Sequence, residues 1–486
     1  MALTKVFSRM IAGDSFNVKD YGAKGDGTTD DSAAIQAAID ACMAGSKGGA
    51  VEFPFSEGEE YAIESTLLID YSRVGTQTNM VWLRGTGMPD RNTAGVVLKN
   101  QIIWTGAAGG VMLTLTDPLD HKFSDIGFNG NNIADYCVTQ NNSQGGWGGT
   151  KWDNVVLEKA VKNCLRYSGA VDGGRNVWSN CTMRKGNALN GVAAQDALVQ
   201  YNGANNVNDQ YVNCEFIYTI SGVASGSAFY INSGSPDVYL TGCFTKAETS
   251  FYQPNATGAA YFSATNCYAE GDNFYFSNKQ VDQRQDFVNV RHAGSGGDFV
   301  NIVGNSNGKP LNIVGGFSNG DITVTGRDDF PIILEGFDLR AGSISLDTTI
   351  GPRTNLIEIG RVSNVANTSS WIASMGYISR IPTADTDANL GVNMANGSVF
   401  YASRVGGASV SVLDPTNVTA TEDDGAEITI IIHANGASSV TVTWGSAYKF
   451  AGASAPSSVT GNRRTILKFI NISGVWYETS RSENIG

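Results

Sequence analysis

The chain has 486 residues, of which 58 are glycine and 11 are proline, and only 16% of its residues are charged. Soluble domains average about 25% charged residues, so this composition is typical of a turn-rich all-β protein with a surface of Asn, Ser, Thr and Gly. The net charge of −13 argues against a nucleic-acid partner, which needs clustered Lys and Arg. An anionic polysaccharide stays possible, because local basic residues can outweigh the mean charge.

No apolar stretch reaches the roughly 20 residues that a membrane span requires. Residues 1–13, MALTKVFSRMIAG, lack the long apolar core of a secretory signal. We therefore expect no membrane insertion, and export by a route other than a signal peptide, such as release of virions at cell lysis.

The first informative segment covers residues 16–54, FNVKDYGAKGDGTTDDSAAIQAAIDACMAGSKGGAVEFP. Phe16 and Val18 begin a short β-run, which a turn rich in Gly and Asp follows. Residues 29–31 then supply N-cap candidates for a helix. The apolar positions of that helix recur at helical spacing, at Ile35, Ile39 and Cys42. The Gly-Gly pair at 48–49 ends it, and an alternating strand begins.

This segment closely resembles the opening of the pectate-lyase-like superfamily, in which DYGAKGDGxxDDxxAIQxAID is the usual beginning. The resemblance implies that the helix caps the N-terminal end of a right-handed parallel β-helix. The preceding residues, LTKVFSRMIAG, resemble the lead-in of bacteriophage tailspikes and tail fibres. Such a motif indicates a fold and does not specify a reaction.

The body of the chain contains a repeat in which a polar residue or Gly precedes an apolar one. The pairs are Asp125-Ile126, Asn154-Val155, Asn180-Cys181, Asn213-Cys214, Gly242-Cys243 and Asn266-Cys267. Their spacings of 29, 26, 33, 29 and 24 residues are typical of a solenoid, whose stacked rungs bury one continuous core. Asn at one corner of each rung would satisfy backbone groups there.

After about residue 286 the apolar runs recur every 10–12 residues. Runs this close predict a meander or strands shared among three chains, rather than three-sided rungs. Residues 362–404 are rich in Ser, Asn and Ala and are interpreted as a connector. The last segment contains predicted strands at 427–432 and 439–444, and a hairpin with strands at 465–470 and 475–479.

We therefore predict an all-β fold: a right-handed parallel β-helix with an N-terminal cap helix, a short-period β-region and a C-terminal β-sandwich, assembled as a trimer. The predicted parts are an attachment arm over residues 1–20, the cap helix and catalytic, receptor-binding β-helix over 21–285, the short-period region and connector over 286–404, and a sandwich for trimerisation or glycan contact over 405–486.

The seven Cys are odd in number and form no CxxC motif, so we expect buried, reduced thiols. The only three histidines lie far apart, at His121, His292 and His433. No dinucleotide-binding or P-loop motif occurs. We expect no metal site and no cofactor.

The rung alignment also sorts the side chains that point outward. The first outward position after each corner holds Gly127, Val156, Thr182, Glu215, Phe244 and Tyr268. The second holds Asn129, Glu158, Arg184, Ile217, Lys246 and Glu270. Two positions further on, Glu248 and Asp272 lie on neighbouring rungs.

Glycosidases need two carboxyl groups, roughly 5–5.5 Å apart for retention of configuration or 6.5–9.5 Å apart for inversion. Glu270 and Asp272 are the predicted acid/base pair, on one face of one strand if Gly271 does not break the alternation. Glu248 or Glu215 is the alternative partner across a rung. The predicted substrate-binding residues are Tyr268, Lys246, Arg184, Phe244 and Trp178.

A structural interpretation of the same residues stays open. Arg184 with Glu158, and Lys246 with Glu270, would form surface ion pairs worth about 0–1 kcal/mol each. The aromatic side chains would then cover the core or a neighbouring chain rather than stack on sugars.

The resemblance implies a tailspike of the virion that acts at the host surface. It would bind and depolymerise a capsule or O-antigen polysaccharide by endo-glycosidic hydrolysis, and attach to the phage tail or an adaptor protein through its N-terminal arm. The calcium and arginine apparatus of pectate lyases cannot be placed on this sequence. A polysaccharide lyase and a non-catalytic glycan-binding adhesin are the alternatives.

Overall fold

The structure is a computed structural model. It describes residues 15–485 except for 45–47, 56–59, 71–78, 87–100, 119, 143–148, 170–171, 174, 187–196, 204, 207, 220–225, 248, 254–260, 271, 278–284, 295–297, 304–310, 326–331, 341–343, 347–356, 360–388, 393–398, 406, 417, 419–423 and 452–453. Two compact units divide the chain: Met1–Arg327 with Leu339–Ser343, and Asp328–Asp338 with Ile344–Gly486.

The first unit is a parallel β-helix, in which each rung passes through three parallel sheets in turn. Sheet I contains Ser15–Asn17, Gly49–Phe53, Val81–Gly85, Lys122–Ser124, Lys151–Asp153, Val177–Ser179, Asp209–Val212, Asp237–Thr241 and Tyr261–Thr265. Sheet II contains Glu60–Ile63, Gln101–Trp104, Gly127–Asn129, Val156–Glu158, Thr182–Gly186, Glu215–Thr219, Phe244–Lys246 and Tyr268–Ala269.

Sheet III contains Leu67–Asp70, Val111–Thr116, Tyr136–Asn141, Asn163–Ser168, Val199–Asn202, Ser227–Ser233, Thr249–Gln253, Asp272–Ser277, Asp298–Val303 and Asp321–Thr325. A small two-stranded sheet joins Asp172–Gly173 to Asn205–Asn206. The predicted parallel β-helix is therefore confirmed.

The predicted cap helix is also present, as Ser32–Ala44 after a 3-10 turn over Val18–Tyr21. It buries Ile35, Ile39 and Cys42 against strands of the first rungs. The carboxylate of Asp31 turns back to accept the amides of Lys24 and Gly25, at 2.6 and 2.9 Å. The acidic residues thus fix the loop before the helix as well as its first turn.

The corner between sheets I and II is the repeat recognised in the sequence. Its residues have a left-handed backbone, with φ between 52° and 56° at Asp125, Asn154, Asn180, Asn213 and Asn266, and Gly242 has φ 64°. Asn and Asp tolerate this region better than other residues with a Cβ atom, and Gly adopts it freely. Backbone bonds continue through the corner, for example from Asn213 N to the Thr241 oxygen at 2.8 Å.

Aromatic and sulfur-containing side chains fill the interior. Phe123, Trp152 and Trp178 stack under sheet I, with ring centroids 3.7 and 4.3 Å apart. All seven cysteines are buried and free, and burial raises the pKa of the Cys214 thiol. The expectation of buried, reduced thiols is confirmed.

The expected loss of three-sided rungs after residue 286 is wrong. Gln285–His292 pairs in register with Leu311–Ser318, and each strand runs through both sheet I and sheet II. Asp298–Val303 continues sheet III. The apolar runs recur every 10–12 residues because one strand serves both sheet I and sheet II, and the sheet III strand of the same rung follows it along the chain.

The N-terminal boundary also differs from the expected one at residue 20. Ser15–Asn17 pairs with Gly49–Phe53 and is already a strand of sheet I. Residues 1–14 of the expected arm lie outside the described residues.

The second unit contains two larger sheets and the short strands Ile332–Glu335, Ile344–Leu346 and Ile357–Ile359. A further short strand, Asp338–Leu339, has one residue in each unit. One sheet comprises Asn389–Leu390, Ser409–Val412, Val440–Trp444 and Ser458–Val459. The other comprises Val399–Val405, Glu427–Asn435, Arg464–Ile472, Val475–Ile485 and Tyr448–Lys449. One apolar core, including Ile430, Val442 and Phe469, contains residues of both sheets. The predicted strands and hairpin of this region are confirmed.

The corner gives a prediction for stability. Replacing Asn213 by Val should destabilise the β-helix by about 1–2 kcal/mol, because a β-branched residue is strained at φ 52°. Asn213→Gly should stay close to the wild type, since Gly has no such strain. Apparent melting temperatures and unfolding rates of the two variants test this. Equal destabilisation by Val and Gly would contradict it.

Candidate functional site

The outer face of sheet II carries the side chains that the sequence placed there. Glu215 pairs in register with Thr182 on one side and Phe244 on the other, and Phe244 pairs with Tyr268. In the next row, Arg184 follows Glu158 and Lys246 follows Ile217. The predicted rows therefore follow the strand register and bring Glu215, Phe244 and Tyr268 onto adjacent strands. Other members of these rows, namely Asn129, Val156, Glu158 and Thr182, are buried.

Two ion pairs occupy much of this face. Arg184 Nε donates to Glu158 Oε2 at 2.6 Å, and Lys246 Nζ lies 3.0 Å from Glu270 Oε2. Burial, followed by the charge of Glu270, raises the pKa of Tyr268. The side chains of Lys246 and Glu270 are 49% and 36% exposed, so this pair contributes little stability and matches the structural interpretation of the row.

The expectation that Glu270 and Asp272 share one strand face is wrong. The sheet II strand ends at Ala269, and Asp272 is the first residue of a sheet III strand, paired with Thr249. The two acids therefore belong to different sheets, and residue 271 between them lies outside the described residues. Glu248, the alternative partner, lies outside the described residues.

Trp178 does not bind substrate, because it is fully buried and stacked on Trp152 in the core. Its Nε1 donates to the Tyr167 hydroxyl at 3.0 Å. Phe244 and Tyr268 stack on each other, with centroids 5.7 Å apart and planes 24° apart. Each ring therefore presents one of its faces to the other rather than to a sugar.

Sheet I forms a groove that the sequence analysis missed. It has a volume of about 440 Å³ and is lined by Arg175, Asn208, Gln210, Val212, Asp237, Tyr239 and Thr241. Strand register places Gln210 beside Tyr239, and Val212 beside Thr241. The groove is therefore made of outward side chains from neighbouring rungs. Its volume is in the usual range for a small-ligand site.

Asp237 is the most unusual group in this groove. Its side chain is partly buried, and burial raises the pKa of its carboxyl group above the ordinary value. Among the described residues, no hydrogen bond or ion pair engages this carboxylate. An unpaired carboxyl group with a raised pKa in a concave site is suited to general acid chemistry.

Two tyrosines and a second carboxylate lie on the same part of sheet I as Asp237. Tyr239 and Tyr261 have ring centroids 5.1 Å apart. The Tyr261 hydroxyl donates to Asp286 Oδ2 at 2.8 Å, and Asn312 Nδ2 donates to Asp286 Oδ1 at 2.6 Å. Burial, followed by the charges of Asp237 and Asp286, raises the pKa of Tyr239, which places its hydroxyl within the field of both acids.

The register allows an estimate of the distance between the two carboxylates. Asp237 pairs with Tyr261, Tyr239 pairs with Ser263, and Ser263 pairs with Asp286. Two strand spacings of about 4.8 Å and one alternation of about 6.6 Å place the two Cα atoms roughly 12 Å apart. Side chains inclined towards each other would bring the carboxyl groups close to the range of inverting rather than retaining glycosidases.

The interior side of the same sheet holds a buried polar network. Asp209 Oδ1 accepts Asn176 Nδ2 at 2.7 Å, and Oδ2 accepts Asn206 Nδ2 at 2.8 Å and the Tyr201 hydroxyl at 2.9 Å. Burial raises the pKa of Asp209 to about 6 despite these bonds. Asn176 and Asp209 are the chain neighbours of Arg175 and Asn208, so the network fixes the backbone that supports the groove.

The sequence contained a signal for this site. Counted backwards from each corner, the third residue is Gln210, Tyr239, Ser263 or Asp286, and the fifth is Asn208, Asp237 or Tyr261. The predicted outward rows run only forwards from each corner, onto sheet II.

In the described part of the chain, no group of three or more His, Cys, Asp and Glu is arranged to hold a metal ion. Nor does any described helix have the length and apolarity to cross a membrane.

Comparison with known proteins gives a family match for the N-terminal segment. Residues 15–103 match the family model described as rhamnogalacturonase A/epimerase, pectate lyase-like. The predicted resemblance to the pectate-lyase-like superfamily is confirmed. Alginate lyase 7 of Azotobacter vinelandii is 31% identical over 174 residues, which are 32% of this chain and 17% of that protein. The chain thus spans only a small part of that relative.

Two solved phage structures are similar over most of the chain at low identity. ORF18 of Geobacillus virus E2 has a TM-score of 0.40 and 13% identity, covering 98% of this chain and 76% of that one. The tailspike gp49 of Acinetobacter baumannii bacteriophage Fri1, described as a capsular polysaccharide depolymerase, has a TM-score of 0.41 and 11% identity, covering 97% and 80%.

The buried network gives a prediction about pH. Because the folded-state pKa of Asp209 is raised to about 6, its contribution to stability is present at low pH and is lost as pH rises towards 6. The loss relative to the ordinary pKa is about 3 kcal/mol. The wild type should therefore lose stability relative to Asp209→Asn between pH 4 and pH 7, measured as the difference in apparent melting temperature. A difference that is constant over this range would contradict the prediction.

Proposed function

We propose that this chain is a phage tailspike that binds a bacterial surface polysaccharide and cleaves it by endo-glycosidic hydrolysis in the sheet I groove. The observation that carries this proposal is the unpaired, partly buried Asp237 carboxyl group, which lies beside Tyr239 and near a second carboxylate, Asp286. The polar groove lining with the aromatic ring of Tyr239 suits sugars, which present hydroxyl groups and apolar ring faces.

In this proposal Asp237 is the general acid that protonates the leaving glycosidic oxygen. Its raised pKa keeps a larger fraction protonated near neutral pH. Asp286 is the general base that activates water, oriented by the bonds from Tyr261 and Asn312. The estimated separation of the carboxylates supports inversion of the anomeric configuration.

Hydrolysis is preferred to β-elimination because of Tyr239. A lyase needs a base close to the proton that it removes, and Tyr239 is the tyrosine that lines the groove. The pKa of Tyr239 is raised by burial and by two negative charges, so its hydroxyl stays protonated and serves poorly as a base. A lyase would release unsaturated products, whereas a non-catalytic adhesin would bind glycan without releasing any.

The Glu270 site on sheet II stays a prediction as the alternative catalytic position. There, Glu270 with Glu215, and with Glu248 or Asp272 on neighbouring elements, would supply the carboxyl groups. The ion pair of Glu270 with Lys246 makes it less suited to proton donation than the unpaired Asp237.

The virion location, extracellular action and adaptor attachment rest on the resemblance of residues 3–13 to tailspike lead-ins. The second unit has its own core and is proposed to serve trimer assembly or glycan contact.

Asp237→Asn should lower kcat on the polysaccharide by roughly 10²–10⁴, because it removes the proton donor while preserving shape. Asp286→Asn should have a loss of similar size. Glu270→Gln is the matched control on the neighbouring sheet and should stay within about twofold of wild type. Product mass spectrometry on purified capsules measures all three.

The pH dependence of the cleavage rate is a second test of Asp237 as the general acid. The wild-type rate should fall as pH rises through the pKa of Asp237, and Asp237→Asn should lack this descending limb. Activity lost in Glu270→Gln but kept in Asp237→Asn would move the site to sheet II. Binding without any product from a complete capsule panel would favour the adhesin.

We further propose a homotrimer, as the tailspike resemblance implies. Light scattering should give three times the chain mass, and thermal unfolding should be slow, because separation of chains precedes unfolding. A monomeric mass would contradict this assembly.

A further inference from the structure

The outer face of sheet I continues beyond the groove towards the N-terminal rungs. Strand register places one outward row along the helix axis, made of Trp82, Lys122, Lys151, Val177, Gln210 and Tyr239. Arg175 lies two residues before Val177 and lines the groove itself. Three cations, Lys122, Lys151 and Arg175, therefore lead along one face to Asp237. We call these three residues the cationic track.

The members of the cationic track are available to a ligand. Lys151 and Arg175 are exposed, and in the described structure neither makes an ion pair or a side-chain hydrogen bond. Lys122 Nζ lies 4.3 Å from the ring centroid of Trp82, which holds the ammonium group on this face without neutralising it. Asp153, on the same strand as Lys151, accepts a hydrogen bond from Asn180 at 3.2 Å.

The distribution of charge along this face is uneven. The cationic track lies on rungs N-terminal to Asp237 and Asp286. The carboxylates on those N-terminal rungs have other partners: Glu52 pairs with Arg84, and Asp153 accepts a hydrogen bond from Asn180. The chain as a whole carries a charge of −13, so three cations without an ion-pair partner among the described residues of this face are a local departure from its mean field. Lys122 lies four strand spacings from Tyr239, or roughly 19 Å, and Arg175 lies about two spacings, roughly 10 Å, from Asp237.

These distances correspond to several sugar residues of an extended chain lying along the helix axis. We infer that the cationic track binds carboxylate groups of an acidic polysaccharide, which runs along sheet I with its scissile bond at Asp237. The inference rests on the proposed function and names the substrate class of that groove. Arg175 is the specificity-determining residue, since its guanidinium group is the one nearest the acids and can bind a carboxylate in bidentate fashion.

The experiment compares each acidic capsule with the same capsule after chemical reduction of its carboxyl groups. Purified full-length protein, in its wild-type, Asp237→Asn and track-variant forms, is tested for binding to a panel of acidic and neutral capsules. The Asp237→Asn background prevents cleavage during the measurement. Bound capsules should be acidic, and carboxyl reduction should weaken their binding at least tenfold.

Arg175→Gln should weaken binding of the acidic capsule roughly tenfold, and Lys151→Gln several-fold, and both should reduce the salt dependence of binding. Arg175→Gln should also lose most of the discrimination between the native and the reduced capsule, which a merely structural role would not change. Lys24→Gln, at an exposed lysine of the loop before the cap helix, makes the same change in net charge and should bind like its parent.

Three results would overturn the inference. Neutral capsules bound and cleaved through Asp237 would disprove the acidic substrate class while leaving the proposed hydrolase intact. An acidic capsule bound equally well by Arg175→Gln and its parent would remove the cationic track from recognition. Failure to bind any capsule in the panel would count against both the inference and the proposed function.

Discussion

The structure of the first unit depends on one backbone constraint, the left-handed residue at the corner between sheets I and II. At Asn154, Asn180, Asn213 and Asn266 this residue turns the chain within one position and passes its amide hydrogen bond to the next rung. Because the corner has a constant length, successive rungs stack in register on both sides of it. Each outward side chain therefore has a defined neighbour along the helix axis, and functional groups far apart in sequence form continuous rows.

This register links the interior to the groove through single strands. In Asp209–Val212, Asp209 and Tyr211 point into the core while Gln210 and Val212 line the groove. The inward groups form a bonded network that includes Asn176. The four hydrogen bonds to the Asp209 carboxylate hold this strand in place and leave the outward groups little freedom, which is the preorganisation that general acid catalysis needs. Asp237 is exceptional because it lies on such a strand with no bonded partner among the described residues.

Much of the fold could be predicted because its signals are local. The segment before Ser32 and the Asn-apolar pairs depend on helix capping and on the left-handed region, which few residue types satisfy. The sheet II rows followed from the same alignment, so Glu215, Phe244 and Tyr268 were placed correctly. The predicted position of Asp272 is wrong because the alternation expected for sheet II runs past Ala269, where that strand ends. The sequence analysis did not find the sheet I groove because the groove residues precede the corner, whereas the predicted rows follow it. Trp178 was wrongly predicted to bind substrate because its side chain points into the core, where it stacks on Trp152.

The central claim is that the outer face of sheet I holds the glycan, with Asp237 at the point of cleavage. A crystal structure of the Asp237→Asn variant with a capsule oligosaccharide tests this most directly. The account predicts sugar density along sheet I, with a glycosidic oxygen within hydrogen-bonding distance of residue 237 and a carboxylate at Arg175. Sugar density confined to the Phe244 and Tyr268 face of sheet II, with an empty sheet I groove, would contradict it.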